Sequence, residues 1–222
     1  AAYRYAKHRR SSGDSTVLVY GDKMASEDAA VCNSVFGHGF EMDDTDTWTT
    51  SHPGACIIPS CFAAAEELDK SGQDFIVAMV AGYETLMRVG RVGKSMYKKN
   101  WHGTAVPGGI GVAAAVGKLL GLDASGIKNA IGIAASHIGG NTEYMYSGGT
   151  VKRTLPSVAV SVGMKAAYLS QMGITGPQEP MDGGGNLFIG TCADEPLYDE
   201  LLVPFKDNLY TFGVGVKPYC CC

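Results

Sequence analysis

Charged residues are scarce in this sequence, and neither sign of charge dominates. They make up 18% of the 222 residues and leave a formal net charge of −4, whereas ~25% is typical of soluble domains. This balance gives no electrostatic reason to expect a nucleic-acid partner. Long apolar runs are missing too, because glycine or a charge interrupts each one before the ~20 residues of a membrane span. We also see no signal peptide, so we expect a soluble cytoplasmic protein with no membrane partner, or a mitochondrial matrix protein if the source is eukaryotic.

The cysteine pattern argues against a disulfide framework. Seven cysteines are present, an odd number, and Cys32, Cys56, Cys61 and Cys192 are scattered through apolar or loop segments. Buried thiols in a reducing compartment account for such a pattern better than paired half-cystines. Residues 220–222 are adjacent thiols without the two-residue gap that lets a zinc knuckle close. We therefore expect neither a disulfide nor a cysteine-bound metal.

Glycine and small apolar residues, by contrast, are abundant, with 30 glycines and 45% hydrophobic residues. Their spacing predicts a mainly α protein. Residues 15–24 have the β-branched run and the Gly-Asp turn of a short hairpin. Ser26 is a natural helix N-cap, and Asp74 and Asp123 stand where acids at a helix start are expected. From Leu187 the chain mixes β-branched and aromatic residues with turns, which indicates a second, mixed element.

The stretch FGHGFEMDDTDTWTTSHPGACIIPS, residues 36–60, sets three acids between two segments that are apolar enough to be buried. Glu41, Asp43 and Asp44 would each cost several kcal/mol if they were buried without a partner. They therefore either face solvent or line a pocket that uses them. The DDTD run differs by one position from the magnesium-binding acids of isoprenoid synthases, and no second metal motif follows. We therefore predict no metal site.

Two histidines and a pair of cations stand in other breaks between apolar helices. His52 precedes Pro-Gly, His102 follows a tryptophan, and Lys152 and Arg153 follow a glycine-rich turn at the start of a predicted helix. Each histidine taken alone is more often a hydrogen-bonded structural residue. Together, the acids, imidazoles and cations suit a small polycarboxylic acid, since cations bind its carboxylates and a base moves a proton beside one of them. We predict Lys152 as a substrate-binding residue and His102 as the proton-transfer group.

The order of several motifs resembles that of the MmgE/PrpD family. The motifs are HGFEMDDT with SHPGA.IIP, WHGTAV with G.AAA.GKLLGLD, A.GIAAS..GG, VKR, G.TGP and KPY.CC. The resemblance implies a large all-helical domain, residues 1–186 here, and the beginning of a smaller α/β lid domain, residues 187–222. It also implies a homodimer and chemistry without a metal or an organic cofactor. Relatives have further helices before residue 1 and most of the lid after residue 222, so we expect this chain to be a central piece.

The resemblance also implies site residues by position. The implied catalytic residues are Glu41, Thr45, His52, His102 and Lys217, and the implied substrate-binding residues are Lys152, Arg153, Asp43 and Asp44. Two positions depart from the family pattern. Asp46 stands where many relatives have histidine or tryptophan, and Leu155 replaces a histidine, which removes a polar group from the expected pocket.

The family includes 2-methylcitrate dehydratase, cis-aconitate decarboxylase and iminodisuccinate epimerase. These reactions share one step, in which a carbanion beside a carboxylate is made or protonated. We therefore expect a cofactor-independent lyase that acts on a small di- or tricarboxylic acid. Dehydration of a 2-methylcitrate-like acid is the simplest expectation, followed by decarboxylation of a cis-aconitate-like acid and then by epimerisation or isomerisation. The alternative from another class is a non-catalytic helical piece that serves packing or partner binding, which Leu155 favours.

Overall fold

The computed structural model describes residues 1–205 and 209–220. Helices dominate it, which confirms the predicted mainly α class. The elements are α1 (Ala2–His8), β1 (Ser15–Thr16), β2 (Lys23–Met24), α2 (Ser26–His38), β3 (Asp44–Thr45), α3 (Gly54–Glu67), α4 (Gly72–Val92), α5 (Ala105–Leu119), α6 (Ala124–Ala135), α7 (Tyr144–Ser147), α8 (Leu155–Gln171), α9 (Leu187–Thr191) and β4 (Gly215–Val216). Short 3₁₀ turns occupy Met96–Lys99, Val151–Thr154, Tyr198–Leu201 and Tyr210–Gly213. No helix within the described ranges combines the length and the hydrophobicity that crossing a bilayer requires.

Helix α5 lies at the centre of the packing. It packs against α8, α4, α6 and α3, and its residues 105–117 are all buried. Small side chains allow this close packing. A Cβ atom added at Gly163 of α8 would lie 2.4 Å from the Cβ of Val112 and 2.6 Å from the carbonyl oxygen of Gly109. The backbones of α5 and α8 therefore approach as closely as only glycine permits.

The predicted cap at Asp123 and the predicted hairpin are confirmed, and Asp74 lies in the first turn of α4 as expected. Ser71 and Asp74 form a reciprocal capping box at the start of α4, with hydrogen bonds of 3.1 and 3.2 Å. Asp123 caps α6 by accepting the N–H of Gly126 at 2.8 Å. Strands β1 and β2 pair in antiparallel fashion within residues 15–24. The local chemistry of caps and turns is strong enough to fix these features without help from distant residues.

The predicted N-cap of α2 is wrong. The helix begins at Ser26 itself, after Ala25, and Ala25 makes no side-chain cap. The Ser26 hydroxyl donates instead to Oε2 of Glu67 at 2.8 Å. Because α2 packs on α3, a carboxylate from the end of α3 competes for the hydroxyl that would otherwise cap the helix.

The segment after α9 returns to the helical body and is fastened to α4. The guanidinium of Arg88 lies 4.3 Å from the ring centroid of Phe205 and 4.9 Å from that of Tyr210. Buried Glu84 accepts hydrogen bonds from the N–H and the hydroxyl of Thr211, at 2.8 and 2.7 Å. Cation–π contacts and buried charged hydrogen bonds of this kind hold a segment that has little regular structure of its own.

Strand β4 then pairs with β3 in antiparallel fashion, with Gly215 opposite Thr45. This pairing carries Lys217 to the loop between α2 and α3, where the three acids lie. The predicted boundary between residues 186 and 187 stays a prediction.

Candidate active site

The candidate active site forms where the loop between α2 and α3 meets three other places in the fold. These are the start of α5, the 3₁₀ turn before α8 and the segment after β4. The polar cluster that results is defined by seven residues: His38, Glu41, Asp43, His52, His102, Lys152 and Lys217. Six of them are predicted site residues, and His38 is not.

Lys152 forms an ion pair with Glu41. Its Nζ lies 2.6 Å from Oε2 of Glu41, and the Lys152 and Glu41 side chains are 33% and 16% exposed. Burial disfavours the charged form of Glu41, but the hydrogen bond and the charge of Lys152 outweigh it and lower the pKa of Glu41. Glu41 has φ +57°, a left-handed backbone that residues other than glycine rarely adopt. Lys152 lies on the 3₁₀ turn Val151–Thr154 rather than at the start of α8, where we predicted it.

Asp43 is enclosed between His38 and Lys217. Its Oδ2 lies 2.7 Å from Nδ1 of His38, and its Oδ1 lies 2.6 Å from Nζ of Lys217. The side chains of Asp43 and Lys217 are each only 5% exposed. Burial disfavours the carboxylate, yet the hydrogen bonds from His38 and Lys217 lower the pKa of Asp43 to about 2. Lys217 thus anchors the segment after β4 to the acidic loop.

Asp44 has the contacts of a helix cap. Its two carboxylate oxygens accept the N–H of Gly54 at 2.9 and 3.1 Å, and one of them also accepts the hydroxyl of Tyr83 at 2.7 Å. These bonds satisfy an N–H that the first turn of α3 leaves unpaired. Burial raises the pKa of Asp44 and also that of Tyr83. The predicted part of Asp44 in substrate binding stays a prediction.

His52 is a neutral imidazole with its proton on Nδ1. This atom lies 2.9 Å from the carbonyl oxygen of Asp44, which can only accept, so Nδ1 must donate. The backbone N–H of His52 donates to Oγ1 of Thr104 at 2.9 Å and fixes the residue beside α5. Burial lowers the pKa of the His52 ring. The basic lone pair of His52 therefore lies on Nε2.

His102 has the opposite tautomer. Its Nδ1 accepts the N–H of Thr104 at 3.3 Å and that of Ala105 at 3.1 Å, at the start of α5. A nitrogen that accepts carries no proton, so the proton of the neutral ring is on Nε2. Burial, followed by nearby positive charge, lowers the pKa of His102 to about 3. His102 is therefore a neutral hydrogen-bond donor at physiological pH.

Two predicted residues lie at the edge of the polar cluster. Thr45 is half-buried in β3, opposite Gly215. Arg153 is exposed on the same 3₁₀ turn as Lys152. The roles predicted for Thr45 and Arg153 stay predictions.

The two residues that depart from the family pattern, Asp46 and Leu155, are both buried. Asp46 is 2% exposed and accepts the hydroxyl and the N–H of Thr49, at 2.6 and 3.2 Å. It therefore closes the turn that ends at Ser51, with which it also exchanges backbone hydrogen bonds. Leu155 is 6% exposed as the first residue of α8, so at this position a core side chain takes the place of a polar one.

Sequence reasoning missed His38 and Tyr83. The only local signal for His38 is its spacing of three residues before Glu41 and five before Asp43, at the end of a predicted helix. Tyr83 lies in the middle of α4, 39 residues from Asp44. No local signal marks Tyr83, because only the packing of α4 on α3 brings it to the acid.

A pocket of about 390 Å³ reaches the acidic motif from the side of α2 and α3. Asp43, Asp44 and Tyr83 line it together with apolar side chains that include Ile58 and Phe62. This pocket presents acids and apolar groups but not Lys152, so it lacks the cation that a carboxylate ligand needs. We therefore place the candidate site at the polar cluster. Among the described residues, no group of three or more His, Cys, Asp or Glu side chains is arranged to hold a metal ion.

Comparisons with known proteins agree with the motifs. A sequence profile described as the MmgE/PrpD N-terminal domain matches residues 1–198. The cis-aconitate decarboxylase of Aspergillus terreus is 32% identical over 223 residues, which cover 95% of this chain and 45% of that protein. The human cis-aconitate decarboxylase is 32% identical over 190 residues, which cover 82% of this chain and 38% of the human protein. The chain thus spans less than half the length of these curated relatives. On this evidence the chain belongs to the MmgE/PrpD family.

Proposed function

We propose that the protein is a carboxy-lyase that acts on a small polycarboxylic acid of the cis-aconitate type, without a metal or an organic cofactor. The observation that carries the proposal is a partly exposed Lys152–Glu41 pair beside two neutral histidines with opposite tautomers. Such an arrangement offers a cation for a substrate carboxylate, a hydrogen-bond donor and a base in one place.

Lys152 is the residue that binds a substrate carboxylate in this proposal. Its side chain is 33% exposed, whereas that of Lys217 is 5% exposed, so an anion that enters from solvent reaches Lys152. The substrate carboxylate takes the place of Glu41 on the ammonium. A charged hydrogen bond of this kind contributes about 1.5–3 kcal/mol. Arg153 adds a second cation at the rim.

The proposed reaction breaks the bond between a carbon atom and one carboxylate of the substrate. CO₂ leaves, and the electron pair stays on the carbon skeleton, where the adjacent double bond and carboxylate delocalise it. A proton then adds to carbon, so that a tricarboxylate trianion and one proton give CO₂ and a dicarboxylate. The site must therefore stabilise the electron-rich intermediate and supply the proton.

His52 and His102, which have opposite tautomers, each perform one of these two tasks. His102, with a pKa of about 3, holds no second proton near neutral pH, so its Nε2–H serves as a donor to an oxygen of the intermediate. His52 has an unprotonated Nε2, which takes up a proton and delivers it to carbon. This assignment revises the expectation from the sequence, which gave proton transfer to His102. The Thr45 hydroxyl acts as a second donor, and Lys217 keeps Asp43 in place.

The relatives determine which reaction we propose. The sequence favoured a 2-methylcitrate dehydratase, but both relatives described above are named cis-aconitate decarboxylases. A third relative, from Aspergillus oryzae, is named a cis-aconitate decarboxylase-like protein and is 33% identical over 224 residues. These names give no support to dehydration, so decarboxylation takes first place in the proposal.

We also propose that the protein is a homodimer. Ile58 of α3 and Ile76 and Val77 of α4 are 44%, 57% and 45% exposed, and another subunit would bury them at ~25 cal/mol per Å². Helix α5, by contrast, buries its apolar surface within the chain. Light scattering at micromolar concentration should give the mass of a dimer, and a monodisperse monomer contradicts the proposal. The cytoplasmic location stays a prediction.

Proton NMR in D₂O tests the reaction directly. The purified protein is incubated separately with cis-aconitate, 2-methylcitrate, citrate and iminodisuccinate. We expect cis-aconitate to be consumed with release of CO₂ and with deuterium at the carbon that receives the proton. The variant His52→Asn is the matched control, because the asparagine amide keeps the hydrogen bond to the Asp44 carbonyl and removes Nε2.

The other outcomes decide against the proposal in distinct ways. Loss of water from 2-methylcitrate, with cis-aconitate untouched, restores the dehydratase that the sequence favoured. If a folded protein consumes none of the four acids, the proposal is overturned and the non-catalytic alternative gains support.

A further inference from the structure

Within the described part of the chain, His38 is the one member of the polar cluster with a fully buried polar atom that has no hydrogen-bond partner. Its side chain is 0% exposed, and its Nδ1 bonds to Asp43 at 2.7 Å. Its Nε2 has no hydrogen-bond partner among the described residues and lies 3.8 Å from Oε1 of Glu41. A buried polar atom without a partner is unfavourable, and on a neutral ring this Nε2 would turn its lone pair toward a carboxylate. Such an atom needs an explanation, and a role in the working cycle of the site is one.

The charged groups around His38 pair with one another. The two lysines of the polar cluster each pair with one acid, and His52 and His102 are neutral. Lys152 pairs with Glu41, and Lys217 pairs with Asp43. The carboxylate of Asp44 lies outside these pairs, with the N–H at the start of α3 and the Tyr83 hydroxyl as its partners. A substrate carboxylate that takes Lys152 therefore leaves the Glu41 carboxylate without its cation in a partly dry site.

We propose that His38 receives Glu41 when a substrate carboxylate takes Lys152, and that His38 binds a proton from solvent in the same step. The proton on Nε2 faces Oε1 of Glu41 and replaces the Lys152 ammonium as the partner of that carboxylate. His38 is thus a positioning residue: it touches no substrate, and it holds the carboxylate that the substrate displaces. This inference rests on the proposed function, because it assumes that Lys152 binds a carboxylate.

Glu41 has to move only a short distance to exchange Lys152 for His38. Glu41 holds Lys152 through Oε2, and its Oε1 needs to move less than about 1 Å to reach hydrogen-bond distance from Nε2. The left-handed backbone of Glu41, φ +57°, keeps the carboxylate between the lysine and the imidazole. The other charged or titratable groups that face His38 are Asp43, Lys217, His52, whose ring centroid is 5.5 Å away, and, more distantly, His102.

Calorimetry with an unreactive ligand tests the proton uptake. Propane-1,2,3-tricarboxylate has neither a hydroxyl nor a double bond and is ionised at about pH 7.5. It is titrated into the protein in two buffers that differ in ionisation enthalpy, and the difference in binding enthalpy gives the number of protons taken up. We expect about one proton per bound ligand, with binding that tightens as the pH falls toward neutrality.

Two variants locate the proton. His38→Asn keeps an amide donor for Asp43 and has no titratable ring, so proton uptake should vanish and affinity should fall about 10- to 100-fold. His137→Asn is the control, because His137 is exposed at the end of α6 and bonds to the carbonyl of Ile133 at 2.8 Å. It should bind the ligand like the wild type. Nitrogen-15 NMR of the wild-type histidines gives the same information without a variant, since Nε2 of His38 should gain a proton only when ligand is bound.

The outcomes separate this inference from the proposed function. Binding without proton uptake, uptake that persists in His38→Asn, or a His38 Nε2 that stays unprotonated at saturating ligand overturns the inference and leaves the proposed function intact. If the folded wild type does not bind the tricarboxylate, the proposed function fails and the inference fails with it.

Discussion

The helical centre and the polar cluster are held together by different interactions. In the centre, α5 meets α8 through glycine and alanine, and the position of a single Cβ decides whether the helices fit. In the polar cluster, ion pairs hold the side chains together, and the two members of each pair lie far apart in the sequence. Glu41 and Lys152 are 111 residues apart, and Asp43 and Lys217 are 174 residues apart.

This difference predicts a clean separation of mutational effects. Changes in the centre should alter the free energy of unfolding and leave the activity of each folded molecule unchanged. Changes at the partly exposed Lys152–Glu41 pair and at His52 should alter binding or turnover and leave unfolding nearly unchanged at neutral pH, since partly exposed ion pairs contribute little to stability. Four predictions follow from this separation and from the buried histidine His102, ordered from the largest expected effect at neutral pH to the smallest.

Removal of the basic nitrogen of His52 should have the largest effect. In His52→Asn we expect turnover of cis-aconitate to fall about 10²–10⁴-fold, as for lost general acid–base catalysis. The melting temperature should change little, because the amide still donates to the Asp44 carbonyl. Steady-state kinetics and thermal unfolding are measured on the same preparation. A large loss of stability with normal turnover per folded molecule would make His52 a structural residue.

Removal of the Lys152 cation should weaken substrate binding more than turnover. In Lys152→Met we expect KM to rise about 10- to 100-fold, which corresponds to the 1.5–3 kcal/mol of a charged hydrogen bond. Methionine keeps most of the side-chain length and removes the charge. Arg153→Met, one residue along on the same turn, is the control and should give a smaller rise. Equal effects of the two variants contradict the assignment of Lys152 as the carboxylate-binding residue.

Filling the α5–α8 contact should destabilise the fold without a catalytic effect. In Gly163→Ala the new Cβ would lie 2.4 Å from that of Val112, and such overpacking costs about 1–3 kcal/mol in the free energy of unfolding. Gly72→Ala is the control, because a Cβ there meets no atom within 4 Å. Chemical denaturation measures both variants. A stable Gly163→Ala protein shows that α5 and α8 can move apart, which the close-packed centre does not allow.

The pH dependence of stability should reveal the neutral His102. Its pKa in the folded state is about 3, below the ~6.5 of an unfolded histidine. The unfolded chain therefore binds a proton that the folded protein does not, so stability is complete above about pH 6.5 and falls as the pH drops toward 3, by up to about 1.4 kcal/mol per pH unit. His102→Asn keeps an acceptor for the N–H groups of α5 and should lose this slope. The same slope in wild type and variant would assign it to another group.

Local chemistry was enough to predict much of the fold. The acid at the start of α4, the cap at Asp123 and the hairpin within residues 15–24 depend on neighbours in sequence, and all are present. The small residues of α5 likewise indicated a helix that others could approach closely. The Ser26 cap failed because a carboxylate of α3, 41 residues away, took its hydroxyl.

For the site, residue types were predictable and their roles were not. The motifs singled out Glu41, Asp43, His52, His102 and Lys152, and the fold brings all five into the polar cluster. The sequence placed the proton-transfer role on His102. The hydrogen bonds favour His52 instead, because a tautomer depends on which acceptor or donor meets each ring nitrogen.

The sequence by itself determined the mainly α class, the helix starts fixed by local caps, and a family membership that its motifs carry. Only the tertiary structure decided that Asp44 caps α3, that Asp43 joins His38 to Lys217, and that His52 and His102 have opposite tautomers. The physical reason is that the two kinds of feature depend on interactions of different range along the chain. Caps and turns are settled by a few neighbouring residues, whereas the charge state of a buried group depends on every dipole and charge that folding places within a few ångströms of it.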